Sequence, residues 1–316
     1  MEVDIQLKLT EFKNYTARHP DFDNALALLQ ESIDLTLERG EQSGVVLTGV
    51  SGTGKTTVCN TLISMYPPPE IRESEGGVRS IIPTLYCRVP ADTTLKHLVS
   101  EMLGKLGSTK NVEHRPILEH RLFARLRECQ TELVFFDELQ NLLEKGQEAT
   151  RGKVCDWINW FCNEFNKPVI LVGLPTCASI VENNEQLSLR YPLRAELHPL
   201  PCSIDSSRSV LRTMLSTLLS EIVSWNYFES VPCLTDQKLE MAFFVATGGN
   251  MRAMRFLLQR ALKISAKRSD RILQISDFSI ALSRTLLRTR LASVDPFTLD
   301  MQELHKIIKG EKKCRK

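Results

Sequence analysis

A chain of 316 residues, 42% hydrophobic and 25% charged, has an ordinary globular composition and is long enough for about two domains. Its net charge of +2 supplies no global field toward nucleic acid or an anionic membrane, so any basic surface must be local. No apolar run reaches the length of a membrane span, Met1-Glu2-Val3-Asp4 does not open a secretory signal, and the nine cysteines are scattered without a Cys-x-x-Cys pair, which disfavours disulfides and zinc and points to a cytosol.

The first twenty residues are mixed and end at a break, His19-Pro20. Phe22, Ala25, Leu26, Leu29, Ile33 and Leu37 recur at helical spacing, predicting a helix over 22–38 with Asp21 or Asp23 as its cap. Residues 1–43 are thus expected to form an N-terminal segment with one helix, and Gly40 to Gly44 turn into the first strand.

Val45 to Leu47 reads as a buried strand. It runs into Gly49-Val50-Ser51-Gly52-Thr53-Gly54-Lys55-Thr56-Thr57, a glycine, four residues, then Gly-Lys-Thr, and the residues from Thr57 to Ile63 read as a helix. In that order of strand, glycine-rich turn and helix, backbone N–H groups point inward at phosphate oxygens and the helix start adds its own donors. Gly49 through Thr57 are therefore nucleotide-binding candidates. Lys55 is expected to reach the β- and γ-phosphates of ATP, and the Thr56 hydroxyl to ligate Mg²⁺.

Tyr66-Pro67-Pro68-Pro69 opens a polar, exposed excursion running to Ser80. Ile81 to Val89 is strand-like, and Leu95, Leu98, Val99, Met102, Leu103 and Leu106 mark the next helix face. A polar loop precedes a helix over 116–129 with Leu118, Leu122 and Leu126 inward. Leu133 to Phe136 is a buried strand ending in Asp137-Glu138, a long helix surrounds Trp157 and Phe161, Pro168 to Val172 is another buried strand, and a last one is expected near Ala195–Leu200. This alternation indicates a parallel α/β sheet domain over 44–201. Beyond Pro201 only helical rows occur, the last around Phe278, Leu282 and Leu286, predicting a small all-helical domain over 202–290. Residues 291–316, with Asp295-Pro296 and a basic end, are expected to be a partly folded tail.

Ligands gather at the carboxyl ends of strands in such sheets. Asp137 is there expected to complete the Mg²⁺ shell opposite Thr56, and Glu138 to orient and deprotonate a water for attack on the γ-phosphate, which separates the chain from most small-molecule P-loop kinases. Arg252, in Gly248-Gly249-Asn250-Met251-Arg252 at a helix start, is a candidate reporter of the γ-phosphate, with Arg255 one turn on as its backup. Arg190 and Arg194 flank Tyr191-Pro192-Leu193 before the last strand, where an arginine reaches a neighbouring subunit's nucleotide as a finger.

The loop, the Asp-Glu strand end, the arginines before the last strand and the helical Gly-Asn-x-Arg together resemble an AAA+ ATPase, with a helical lid after the P-loop sheet domain. Ile82-Pro83-Thr84-Leu85-Tyr86-Cys87-Arg88-Val89-Pro90, Phe136-Asp137-Glu138-Leu139-Gln140 and the stretch from Gln186 to Tyr191 look like the TniB/TnsC family of transposition regulators, which includes those of CRISPR-associated transposons. That resemblance implies ATP-dependent homo-oligomers, rings or helical filaments, assembled on double-stranded DNA, nucleoid-associated and away from membranes. They present target DNA to a DDE-type transposase together with a target-selection protein, CRISPR-linked in some systems, and hydrolysis disassembles them. One departure stands out. AAA+ proteins usually carry a polar sensor at the end of the fourth strand, whereas this stretch reads Val172-Gly173-Leu174-Pro175-Thr176, leaving Thr176 as the nearby polar candidate.

An assembly that encloses DNA needs cations on its inner wall, contacting phosphates without reading bases. Lys105, Lys110, Arg121 and Arg125 are the candidates, and Lys145, Arg151 and Lys153 form a weaker second cluster. Two rival readings remain at this level: a clamp-loader or replication-initiator-like ATPase, and a signalling P-loop switch without a DNA role.

Overall fold

Three runs of consecutive apolar residues become the buried centre of one sheet. The computed structural model describes residues 4–74, 77–91, 94–108, 114–143, 148–203 and 209–314. In chain order its elements are α1 (Ile5–Asn14), α2 (Pro20–Arg39), β1 (Val45–Gly49), α3 (Lys55–Ile63), β2 (Glu70–Ser74), β3 (Gly77–Ile81), β4 (Thr84–Arg88), α4 (Leu95–Lys105), α5 (Arg115–Glu128) and β5 (Leu133–Asp137). They continue with α6 (Gln140–Leu143), α7 (Glu148–Phe165), β6 (Val169–Gly173), α8 (Thr176–Glu182), α9 (Glu185–Arg190), β7 (Leu193–Leu197), α10 (Val210–Ser224), α11 (Gln237–Thr247), α12 (Met251–Ser265), α13 (Ile275–Ser283) and α14 (Met301–Cys314). The chain groups into two units, one comprising Asp21–Ser51 and Lys55–Leu197, the other Met1–Pro20, Gly52–Gly54 and His198–Lys316.

The first unit is built on a five-stranded parallel sheet in the order β4-β5-β6-β1-β7. β1, β5 and β6 are buried at every residue, as central strands covered on both faces must be. Alternate residues serve opposite faces. Val45, Leu47, Leu133 and Phe135 pack with Phe22, Leu29 and Ile33 of α2 and Val58 and Leu62 of α3, whereas Val46, Val134 and Phe136 pack with α4, α5 and α7, including Leu98, Leu122, Trp157 and Phe161.

Three expectations in this unit are corrected. The polar excursion to Ser80 contains an antiparallel hairpin, β2 paired with β3, on which Ile71 and Val78 are exposed. The strand expected over Ile81–Val89 is two elements: Ile81 ends the hairpin and β4 starts at Thr84, with the Pro83 carbonyl between them accepting from Glu132 N (2.8 Å). The last strand lies two residues earlier than expected, at Leu193–Leu197.

The second unit is helical. Its core joins Met214 and Leu218 of α10, Phe243 of α11, Met254 and Leu258 of α12 and Phe278 of α13. Two segments expected outside a helical domain belong to it. α1 contributes Leu9 and Phe12 to this core, and Arg255 donates to the carbonyls of Phe12 (3.0 Å) and Lys13 (2.6 Å), closing the end of α1. The tail is folded rather than partly folded: Phe297 stacks on Phe278 (5.5 Å), and Leu304 and Ile308, one turn apart on α14, are buried. The basic composition of the tail conceals this, because Lys306 and Lys309 sit on the exposed side. The eight cysteines whose side chains are described are free thiols, and among the described residues no helix is long and apolar enough to cross a membrane.

Candidate nucleotide site

The loop between β1 and α3 turns through glycines. Gly52 (φ 85°) and Gly54 (φ 106°) occupy the left-handed region, which a side chain would strain. Lys55, the first residue of α3, is buried, and its ammonium donates to the carbonyls of Gly49 (2.6 Å) and Val50 (3.3 Å). Burial lowers its pKa, and the nearby carboxylates of Glu138 and Asp137 oppose that shift. The loop lysine and the acidic strand end are thus brought together, although about eighty residues separate them in sequence.

At the end of β5, Asp137 is buried while Glu138 is partly open. Glu138 adopts φ 59°, unusual for a side-chain-bearing residue and costing about 1 kcal/mol. The turn is held by the Glu138 N–H, which donates to Asp137 Oδ1 (2.8 Å), and by the Leu139 N–H, which donates to the Val172 carbonyl (3.1 Å). Arg88 pairs with Glu138 Oε1 (3.2 Å), and Gln140 Nε2 donates to Glu138 Oε2 (2.5 Å).

Tyr86 of β4 was not singled out by sequence, yet its hydroxyl donates to Asp137 Oδ2 and also meets the Thr56 side chain. Burial and the Asp137 carboxylate push its pKa far up, so it is a donor at any ordinary pH. One phenol thereby ties together the two residues expected to hold a metal. A carboxylate and a hydroxyl are hard oxygen donors of the kind that suit Mg²⁺ beside a nucleotide's phosphates. No grouping of three His, Cys, Asp or Glu side chains suited to another metal occurs among the described residues.

Arg190 and Arg194 lie away from this site. The Gly44 N–H, just before β1, donates to the Arg190 carbonyl (2.6 Å), which puts Arg190 at the amino end of the sheet. Five residues of strand separate it from the loop by roughly 15 Å. The Arg190 guanidinium donates to Asn163 Oδ1 (2.6 Å) and lines a cavity of about 550 Å³ with Arg39, Gln42, Asn163, Gln186 and Leu189. Arg194 is engaged internally, with Glu182 (3.2 Å) and the carbonyls of Tyr191 and Leu193. In the helical unit Arg252 is exposed in the first turn of α12, which Asn250 caps by accepting from Ala253 N (3.1 Å). Arg255, the backup, is half-buried in its contact with α1.

Among the DNA candidates, Lys105 donates to the Tyr86 carbonyl (2.8 Å), and Arg125 donates to the Leu106 carbonyl (2.6 Å) and pairs with Glu128 (2.6 Å). Both side chains therefore close the end of α4 and its approach to β4. Arg121 is half-buried on α5 and Lys153 is exposed on α7, while Lys110, Lys145 and the Arg151 side chain lie outside the described residues. Thr176 starts α8, a short helix after β6.

The model for the bacterial TniB protein family matches residues 12–198, more than half of the chain. A search of curated proteins found no match. Among solved structures, the Orc1 protein of Aeropyrum pernix in complex with DNA is similar at a TM-score of 0.58 and 18% identity, over 85% of this chain and 66% of that one. Cdc6p from Pyrobaculum aerophilum follows at 0.56 and 15%, over 86% and 69%, and Drosophila ORC bound to DNA at 0.51 and 17%, over 88% and 65%. This chain spans about two thirds of the length of those structures, and at these identities the likeness is one of fold, that of AAA+ P-loop ATPases. With the phosphate loop, the Asp-Glu strand end and the family match in agreement, the chain belongs to the bacterial TniB family.

Proposed function

We propose that this protein is an ATP-hydrolysing regulator of DNA transposition that assembles on duplex DNA. The observation that carries the reading is the convergence of Lys55, Asp137 and Glu138 at the carboxyl end of the sheet while Arg190 sits at the other end. The loop N–H groups and Lys55 bind the β- and γ-phosphates of ATP. Thr56 and Asp137 hold Mg²⁺, which supplies charge neutralisation to the phosphates when bound. Glu138 accepts a proton from water as the water oxygen bonds to the γ-phosphorus. The bond from that phosphorus to the β,γ-bridging oxygen breaks, and ADP leaves.

Arg190 stands too far from the loop to serve its own nucleotide, so its role as a finger requires a second copy. Leu189, beside it, is largely exposed, which suits a face that another copy covers. Repetition of one head-to-tail contact gives a ring or a helical filament. Arg194 is the alternative finger, and Arg252 is assigned the reporting of the γ-phosphate. Lys105, Lys110, Arg121 and Arg125 are proposed as the DNA-facing cations. A DDE-type transposase and a target-selection protein are the partners that the family supports. The Orc1 and ORC structures were determined with DNA bound, which is consistent with the duplex-binding part.

Electron microscopy with a non-hydrolysable ATP analogue, with and without duplex DNA, tests this reading: ordered assemblies that need both are expected. The fold likeness to Orc1 and Cdc6p favours one second reading, a replication-initiator-like ATPase. Dependence of transposase activity on this protein separates the two.

A further inference from the structure

The end of β6, where a polar sensor is expected, carries none: its last residue is Gly173 and the next is Leu174. A polar group reaches that spot from another element. Gln140, the first residue of α6, is 6% exposed, and its Oε1 accepts from the Leu174 N–H (3.1 Å). Because the Leu174 amide only donates, the side-chain oxygen must face it, and the side-chain NH₂ is left facing Glu138. Nε2 then donates to Glu138 Oε2 at 2.5 Å. The strand end is shaped for this approach. A Cβ on Gly173 would lie 2.5 Å from Cys177 Sγ and 2.9 Å from Gln140 Oε1, so a larger residue there would force Cys177, the Gln140 amide or both to shift. The other Glu138 oxygen is met by Arg88, whose side chain is mostly exposed and so a loose restraint. Gln140 is the buried anchor of the pair.

We propose that Gln140 is the positioning residue that aims Glu138 at the attacking water and links that aim to the end of β6, doing from α6 what a polar side chain on the strand would otherwise do. The proposal rests on the reading of Glu138 as the group that takes the proton from water. It assigns Gln140 no contact with nucleotide or metal. A residue that acts only through the orientation of another changes turnover and leaves affinity alone, since displacing a reacting group by about 1 Å costs up to roughly 100-fold.

The test measures kcat, KM and the dissociation constant for ATP with Mg²⁺ in Gln140→Glu, Gln140→Leu and Gly173→Ala, with Glu138→Gln run in parallel. Gln140→Glu keeps the size and the oxygen that faces Leu174 but presents no amide donor to Glu138, so a merely space-filling role would survive it. All three variants are expected to lose about 10- to 100-fold in kcat and to keep their ATP affinity within about 3-fold, the retained affinity showing that they are folded. Wild-type kcat in both Gln140 variants, while Glu138→Gln is inactive, overturns this proposal and leaves the proposed function standing. Wild-type turnover in Glu138→Gln overturns both. Loss of ATP affinity in Gln140→Glu equal to its loss of kcat would make Gln140 a structural residue of the binding loop and also overturns the proposal.

Discussion

The two ends of the parallel sheet are built differently. At the carboxyl end, Lys55, Asp137, Glu138, Gln140 and Tyr86 hold one another through short hydrogen bonds and close charges around the phosphate loop. At the amino end, Arg190 and Arg39 line an open, polar cavity with Asn163 and Gln186, and the arginines pair with exposed side chains, Asn163 and Glu41 respectively. At the carboxyl end the polar side chains are held against one another within a single chain, whereas the arginines at the amino end face an open cavity. The chemistry is therefore expected to be finished between copies, the amino end of one chain supplying an arginine to the carboxyl end of the next.

Breaking the carboxyl end at Glu138, its proposed proton acceptor, should have the largest effect. Glu138→Gln is expected to lower ATP turnover by about 10³-fold or more while ATP affinity is kept, read by steady-state phosphate release and nucleotide titration. Arg190→Ala attacks the opposite end and should lower ATP turnover in the presence of duplex DNA by about 10³-fold. Mixing it with Lys55→Ala sharpens the comparison: partial recovery is expected, because one variant keeps an intact phosphate loop and the other an intact arginine. Lys55→Ala alone should weaken ATP binding by roughly 100-fold, the loss of a buried charge-assisted contact, measured by calorimetry. Tyr86→Phe removes the hydroxyl that orients Asp137 and should raise the Mg²⁺ needed for half-maximal turnover by about 10-fold. The smallest effect is structural. Tyr191 is buried at the amino end with its hydroxyl against Cys162 Sγ (3.3 Å), and Tyr191→Phe should cost about 1 kcal/mol or less in chemical denaturation.

The parts of this arrangement that were legible in sequence are those whose signal is local. The glycine spacing before Lys55, the four apolar residues before Asp137 and the apolar rows of the helices each report their own neighbourhood. What was not legible depends on residues that meet only after folding. Nothing next to Tyr86 says that its hydroxyl lands on Asp137, fifty-one positions away, and nothing next to Gln140 says that Gly173 makes room for it. The β2–β3 hairpin escaped because Ile71 and Val78 are its exposed apolar residues, so no buried stripe advertises it. α14 escaped because its lysines outnumber the two side chains, Leu304 and Ile308, that bury it. Lys105 and Arg125 looked like free surface cations, and it took their carbonyl partners on other elements to show a structural use.

ATP held at one end of the sheet is expected to bring a second copy's Arg190 to it, on duplex DNA. Sedimentation velocity of the wild-type protein and Arg190→Ala, each with Mg²⁺, a non-hydrolysable ATP analogue and a short DNA duplex, tests it most directly. The account predicts large assemblies for the wild type only when nucleotide and DNA are both present, and a markedly smaller species for Arg190→Ala. A wild-type protein that sediments as a single chain under all of these conditions, or an Arg190→Ala variant that assembles as the wild type does and hydrolyses ATP at the same rate, would contradict it.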